Sequence, residues 1–245
     1  MFEHDFSTTK YGIDVSHHQG EIDWDKTLSY KFQDRDLSLV FMKATEGGDY
    51  VDPMFSKNWS IVKNYEHLTK GAYHFYRTQK EPKLQSENLI KTLRSVEFDT
   101  KDYYIIDVEQ NGGKLSQEEF SHQLSEFTDE MKDNGYNKSI IYTTKGFWDQ
   151  NIGSHGKDLW KTCDLWLARY GKNDGDIPEN PKFYQEVPIG ASSPPMVWQF
   201  TSKGKIEGIN GNVDLSLLSK NFNDKEQVNN TPSLGETLYS YCDIL

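Results

Sequence analysis

The chain has 245 residues, a formal net charge of -11 and 35% apolar residues, which allows one large domain with a full core or two small ones. An acidic surplus of that size argues against nucleic acid as a partner, because such binding rests on Lys and Arg contacts to phosphate. No apolar run of roughly 18 residues exists to span a bilayer, and the two cysteines, Cys163 and Cys242, lack the Cys-x-x-Cys spacing of zinc and redox sites.

In chain order, Met1–Lys10 is a polar N-terminal extension without the apolar centre of a secretory leader, so no signal peptide is visible in this chain. Tyr11–Ser16 (YGIDVS) reads as a strand, and Asp25–Phe32 as a short helix with Leu28 and Phe32 four apart on one face. His17–His18 is the only histidine cluster; it has no companion at ligand spacing, so no metal and no other cofactor is expected. Leu39–Thr45 is a second strand, followed by a helix over Met54–Leu68 with Phe55, Trp59, Val62 and Tyr65 at helical spacing. Gly71–Tyr76 is a third strand. Glu81–Val96 is a helix with Pro82 in its first turn, where a missing N–H costs nothing. Tyr103–Glu109 (YYIIDVE) is a fourth strand. In the helix Ser116–Asn134, Ser116 and Glu119 form a capping box and Gly135 supplies the C-terminal stop.

Ser139–Thr144 is a fifth strand, after which the pattern changes. Asp164–Tyr170, Met196–Thr201 and Asn212–Leu215 read as strands separated by Gly-, Pro- and Asn-rich loops rather than long helices. Repeated βα alternation argues for a parallel sheet, and eight strands suggest closure into a barrel. From about Asn223 the chain is polar, a tail of unassigned role that ends in the short apolar stretch LYSYCDIL. One disulfide between Cys163 and Cys242 and two separate thiols are both open.

The chemistry centres on I-I-D-V-E-Q, residues 105 to 110. Side chains alternate across a strand, so Asp107 and Glu109 face one side and Ile106 and Val108 the other. At the C-terminal end of a barrel strand, two such carboxyls enter a partly desolvated mouth. Burial and mutual repulsion raise at least one pKa, which keeps a proton near neutral pH; a protonated acid beside an ionised carboxylate is what glycoside cleavage needs. A bare D-x-E occurs often by chance, but this one follows a β-rich run and precedes the Gly112–Gly113 loop. Asp14 lies near the end of the first strand and Asp214 beside the last. Each alone suits a cap or turn; together they suggest groups that tune the acid or bind sugar hydroxyls. Aromatic residues make up 13% of the chain, and rings suit sugar C–H faces. Tyr73 and Phe75 share a face of the third strand. Tyr142 lies near the end of the fifth strand, Trp166, Ala168 and Tyr170 share a face of the sixth, and Trp198 and Gln199 end the seventh.

The chain resembles the family 25 glycoside hydrolases, the Chalaropsis-type lysozymes. The resemblance is carried by YGIDVSHHQGEIDW (11 to 24), MKATEG (42 to 47), DPMFSKNW (52 to 59), GAYHFYR (71 to 77), YYIIDVE (103 to 109), IIYT (140 to 143), LWLARY (165 to 170) and VWQFTSKGKIEGINGNVDL (197 to 215), in the family's order. It implies an α/β fold, a TIM-like (β/α)5(β)3 barrel, as a single domain over residues 11–222. It also implies N-acetylmuramidase activity on the peptidoglycan glycan strand, acting outside the cell or at the wall, with a monomer expected. The family's acidic set maps onto Asp14, Asp107, Glu109 and Asp214, with Glu109 as general acid and Asp107 holding the substrate's 2-acetamido group. Tyr73, Phe75, Tyr142, Tyr170, Trp198 and Gln199 are expected at sugar subsites. A glycan-binding protein on an inactive barrel and a chitin-cutting hexosaminidase are the competing readings. The loop Lys172–Pro195 and the tail match no family pattern and no wall-binding repeat.

Overall fold

The computed structural model describes residue 6 and residues 9–178, 186–191, 193–220 and 222. The expected strands form, and eight of them close into a barrel: β1 (Lys10–Val15), β3 (Arg35–Glu46), β5 (Thr69–Phe75), β6 (Tyr103–Asp107), β7 (Ser139–Thr143), β8 (Cys163–Ala168), β9 (Val197–Gly204) and β10 (Val213–Leu218). From β1 through β3 and on to β9 all neighbours are parallel. Strand β10 runs antiparallel to both β9 and β1 and completes the ring. The barrel is therefore the mixed, incompletely wound (β/α)5(β)3 form that the family resemblance implies, in agreement with the weak helices after the fifth strand. Two-residue strands β2 (Lys31–Phe32) and β4 (Tyr50–Val51) hang on β3.

Helices pack outside: α1 (Trp24–Ser29), α2 (Phe55–Val62), α3 (Pro82–Ser95), α4 (Gln117–Asp133) and α5 (Lys145–Asn151), the last followed by a 3-10 segment, Gly153–Lys161. Both predicted α4 signals are present: Ser116 and Glu119 cap each other, and Gly135 takes a φ of 90°. Pro82 opens α3. The first helix is shorter than its apolar spacing suggests. Phe32 belongs not to it but to a hairpin with β3, turned by Gln33 and Asp34 at φ of 47° and 62°, the left-handed pair that a tight hairpin turn requires. The second helix stops at Val62 rather than Leu68. Among the described residues, no helix is long and apolar enough to cross a membrane.

Strand alternation sorts the core into two layers. Outward residues such as Ile13, Val40, Ala72, Ile106, Ile141, Leu167 and Phe200 meet the helices. Inward residues Leu39, Phe41, Tyr103, Ile105, Ile140, Trp166 and Val197 fill the barrel, which is thus a packed core with no pore. Phe222 closes this inner cluster against Tyr103, ring centroids 5.6 Å apart. Cys163 is buried, its sulfur 3.3 Å from the Ser139 hydroxyl; Cys242 and the tail 223–245 lie outside the described residues.

Inward filling leaves no room at Gly71, where a β-carbon would stand 2.6 Å from Ile105 Cδ1, 2.7 Å from the Tyr103 carbonyl oxygen and 2.8 Å from Phe41 Cδ1. The carbonyl cannot swing aside without breaking the β5–β6 ladder. Gly71→Ala is therefore expected to destabilise the protein by about 1–3 kcal/mol, the cost typical of overpacking. Denaturant unfolding checks this; an unchanged midpoint would contradict the packing described.

Candidate active site

Each inward row of side chains is apolar at the base and becomes polar where the strand meets the upper loops. The row on β6 reads Tyr103, Ile105, Asp107, with all three buried. On β1 it ends at Asp14, on β3 at Lys43, on β7 at Tyr142 and on β9 at Gln199. Strand β10 runs the other way, so its first turnward residue, Asp214, arrives at the same rim directly opposite Asp14. The result is one cleft of about 290 Å³, lined by Asp14, Asp107, Glu109, Asp214, Tyr73, Phe75, Tyr142, Tyr170 and Gln199. Nine of the ten residues expected at the site are thereby brought together.

Strand β6 ends at Asp107, two residues before the predicted end. Alternation nevertheless carries past it. Val108 donates its N–H to the Tyr142 carbonyl at 2.9 Å and accepts the Thr143 hydroxyl at 2.8 Å, which holds its side chain in the outer core and returns Glu109 to the cleft. The following loop is fastened by Asn111, whose amide exchanges two 2.9 Å hydrogen bonds with the Leu115 backbone.

Trp198 is the exception. It lies on the outer face of β9, fully buried, with its indole N–H donating to the Arg169 carbonyl at 2.8 Å and its ring 5.9 Å from Phe200. Neighbouring residues of a strand cannot face the same side, so with Gln199 inward Trp198 is a core residue and not a subsite. Ser16, His18, Lys43 and Trp166 also line the cleft. Trp166 forms part of its floor, edge-on to Tyr142 at 4.6 Å, with its N–H donating to the Ser216 hydroxyl at 3.1 Å. Lys43 carried a readable signal: a lone cation in the strand LVFMKAT is buried only when paired, and here it bonds Glu46 at 2.6 Å.

The electrostatics are dominated by like charge in a half-dry space. Burial, then repulsion from Asp214, pushes the Asp14 carboxyl well above the ordinary range, against the Gln199 amide that donates to it at 2.8 Å. Burial raises Asp214 to about 6, moderated by its hydrogen bond with Asp14. Burial, then repulsion from Glu109, raises Asp107 well above the usual value, and Lys43 pulls it partly back. Glu109 reaches solvent at the mouth, yet the surrounding walls still raise it, offset by Lys43 and Arg77. Asp107 and Glu109 therefore titrate as one pair. The hydroxyls of Tyr142 and Tyr170 meet the Gln199 side-chain oxygen at 2.8 and 2.6 Å, a network that ties both rings to the Asp14–Asp214 pair. Tyr170 remains 38% exposed at the rim, so its face is open for stacking. Asp107 Oδ1 is buried with no hydrogen-bond partner among the described residues. A buried unmatched acceptor is costly, and this one borders the cleft.

The sequence profile described as Glycosyl hydrolases family 25 matches residues 13–209. Protein YegX of Escherichia coli O157:H7 is 30% identical over 223 residues, covering 90% of this chain and 72% of YegX. Lysozyme M1 of Streptomyces globisporus is 28% identical over 210 residues, covering 83% of this chain and 65% of that protein. Among solved structures, the bacterial lysozyme from Streptomyces coelicolor superposes with a TM-score of 0.70 at 26% identity, covering 86% of this chain and 93% of that one.

The raised carboxyl at Asp214 has a consequence for stability. A folded pKa of about 6, against roughly 3.9 in an unfolded chain, favours the protonated folded state. The stability this supplies is complete below about pH 4 and lost as pH rises through 6. Asp214→Asn has no such loss. Its melting temperature relative to wild type should therefore rise from pH 4 to pH 7, by the equivalent of roughly 1–3 kcal/mol. A difference independent of pH would contradict the shift.

Proposed function

This chain belongs to glycosyl hydrolase family 25, and from that membership we propose that it is a lysozyme, an N-acetylmuramidase. It cuts the β-1,4 bond from N-acetylmuramic acid to N-acetylglucosamine in peptidoglycan. The observation that carries this reading is the ring of four carboxyls at one cleft, with Glu109 at the open mouth and Asp107 deeper, its Oδ1 without a hydrogen-bond partner among the described residues. The catalytic unit is read as residues 11–222, acting as a monomer at the wall; lysozymes among the relatives support that setting.

The reaction follows from the placement of these groups. The cleft walls raise the pKa of Glu109 and so favour its protonated form; in that form it gives its proton to the glycosidic oxygen as the bond from that oxygen to the anomeric carbon breaks. The carbonyl oxygen of the 2-acetamido group forms the new bond to that carbon, giving an oxazolinium. Asp107 Oδ1 accepts the acetamido N–H. That donor, and the positive charge that follows, favour the ionised form of Asp107, whose burial makes the attraction stronger than it would be in water. Glu109, now a carboxylate, takes a proton from water as its oxygen attacks the anomeric carbon, which restores the acetamido group and the acid. Configuration is retained, by substrate assistance rather than by an enzyme nucleophile. Tyr142 and Tyr170, held by Gln199, flank the reacting sugar.

Glu109→Gln should lower kcat on purified peptidoglycan by at least about 100-fold, the usual contribution of a general acid, with an unchanged circular dichroism spectrum. Activity near wild type in that variant would remove Glu109 as the acid. Proton NMR early in the reaction should show the β-anomer at the new reducing end; the α-anomer would exclude the assisted route. Mass analysis of the fragments should find muramic acid at that end. Glucosamine there, or turnover of chitin alone, would point instead to a different hexosaminidase.

A further inference from the structure

A second groove, of about 570 Å³, opens from the catalytic cleft past His18 and Lys43, which line both. We propose that this groove is a subsite for an anionic group, and that its occupant is a carboxylate of the peptide stem borne by muramyl residues. The inference rests on the peptidoglycan reading and specifies which part of that polymer lies where.

The first argument is charge. Lys43 and Arg77 converge on a single carboxylate, Glu46, at 2.6 and 2.5 Å, which leaves that trio one positive charge in excess. Both cations also rest against the ring of Phe75, 4.9 and 4.4 Å from its centre. They are thereby held at the junction between the groove and the cleft that Phe75 lines. Lys80 extends the cationic wall, exposed and in no ion pair among the described residues; Asp49 is the opposing carboxylate. In a chain of net charge -11, this cationic excess is a local exception. An anion is drawn to the groove, which helps to orient a substrate carrying both neutral sugars and carboxylates.

The second argument is preorganisation. The turn that carries Arg77 and Lys80 is fastened by one fully buried side chain, Gln85 of α3. Its oxygen accepts the Arg77 N–H at 2.9 Å and faces His74 Nε2 at 3.1 Å. Its amide donates to the Arg77 and Lys80 carbonyls, each at 3.0 Å. His74 is itself anchored by the Thr45 hydroxyl at 2.7 Å, and burial drops its pKa to about 4, so it is neutral at physiological pH and adds no charge. Arg77 is further clamped by the Gln110 side chain, one residue after Glu109. The cations are thus set in place before any ligand arrives, which lowers the entropic cost of binding. The Arg77 nitrogens are engaged by Glu46 and Gln110, so Arg77 supplies fixed positive charge and exposed Lys80 supplies the direct donor.

The test uses the full chain and a soluble stem tetrapeptide of peptidoglycan. Titrated into isotope-labelled protein, the peptide should give saturable shifts at the backbone amides of residues 77–80. Lys80→Glu should weaken binding about three- to tenfold, the scale of reversing one partly exposed charge contact. On peptidoglycan strands the same variant should raise KM by a similar factor at unchanged kcat. On strands stripped of stems by an amidase its KM should stay within about twofold of wild type. Cleavage without peptide shifts, or a KM change equal on both substrates, overturns the subsite. Peptide binding that Lys80→Glu weakens, in a protein that cleaves no peptidoglycan, supports the subsite and refutes the lysozyme reading instead. Absence of both binding and cleavage refutes both.

Discussion

Four carboxyls from three distant parts of the chain share one rim because the strands that carry them alternate and the sheet closes. Asp14, Asp107 and Glu109 arrive on upward strands, and Asp214 on a strand that descends from the same end. Below them the inward rows are apolar and tightly filled, so solvent reaches the group from above only. Like charges in that position resist ionising together. Protons are therefore held by the site itself, opposed by Lys43 and Arg77 at the Asp107–Glu109 pair and by the Gln199 amide at Asp14. The arrangement works against stability, as sites built for chemistry commonly do, and the packed barrel beneath supports it.

The outer layers serve this placement. Val108, gripped by Tyr142 and Thr143, returns Glu109 inward after β6 has ended. Gln199 joins two tyrosines to Asp14 through one amide, so the aromatic wall and the acidic pair are a single hydrogen-bonded unit. On the opposite flank, Gln85 plays a comparable part for the turn 77–80. Two buried amides of glutamine thus set the aromatic wall of the cleft and the cationic wall of the adjoining groove.

Much of this is legible in the sequence because period-two alternation survives in short strands. Asp107 and Glu109 could be assigned to one side from I-I-D-V-E alone, and the weak helices after the fifth strand agreed with the incompletely wound barrel that the family resemblance implied. The same rule, applied to adjacent residues, separates Trp198 from Gln199; a large aromatic at a strand end suggests a sugar platform, but here its neighbour occupies the inner face. The β2–β3 hairpin escaped notice because its turn uses Gln33 and Asp34 where glycine or asparagine would advertise it. His18 was hidden for another reason: its position at the cleft depends on which elements neighbour which, and no single segment's pattern contains that information.

The central claim is physical: this rim keeps protons that isolated carboxyls would have lost. Carbon-13 NMR of protein labelled at the Asp and Glu carboxyls, titrated from about pH 3 to pH 8, reads it directly. The account predicts resonances that titrate above the usual carboxylate range, with midpoints altered by Asp107→Asn at Glu109 and by Asp14→Asn at Asp214. Four independent midpoints near 4, unmoved by either substitution, would contradict it.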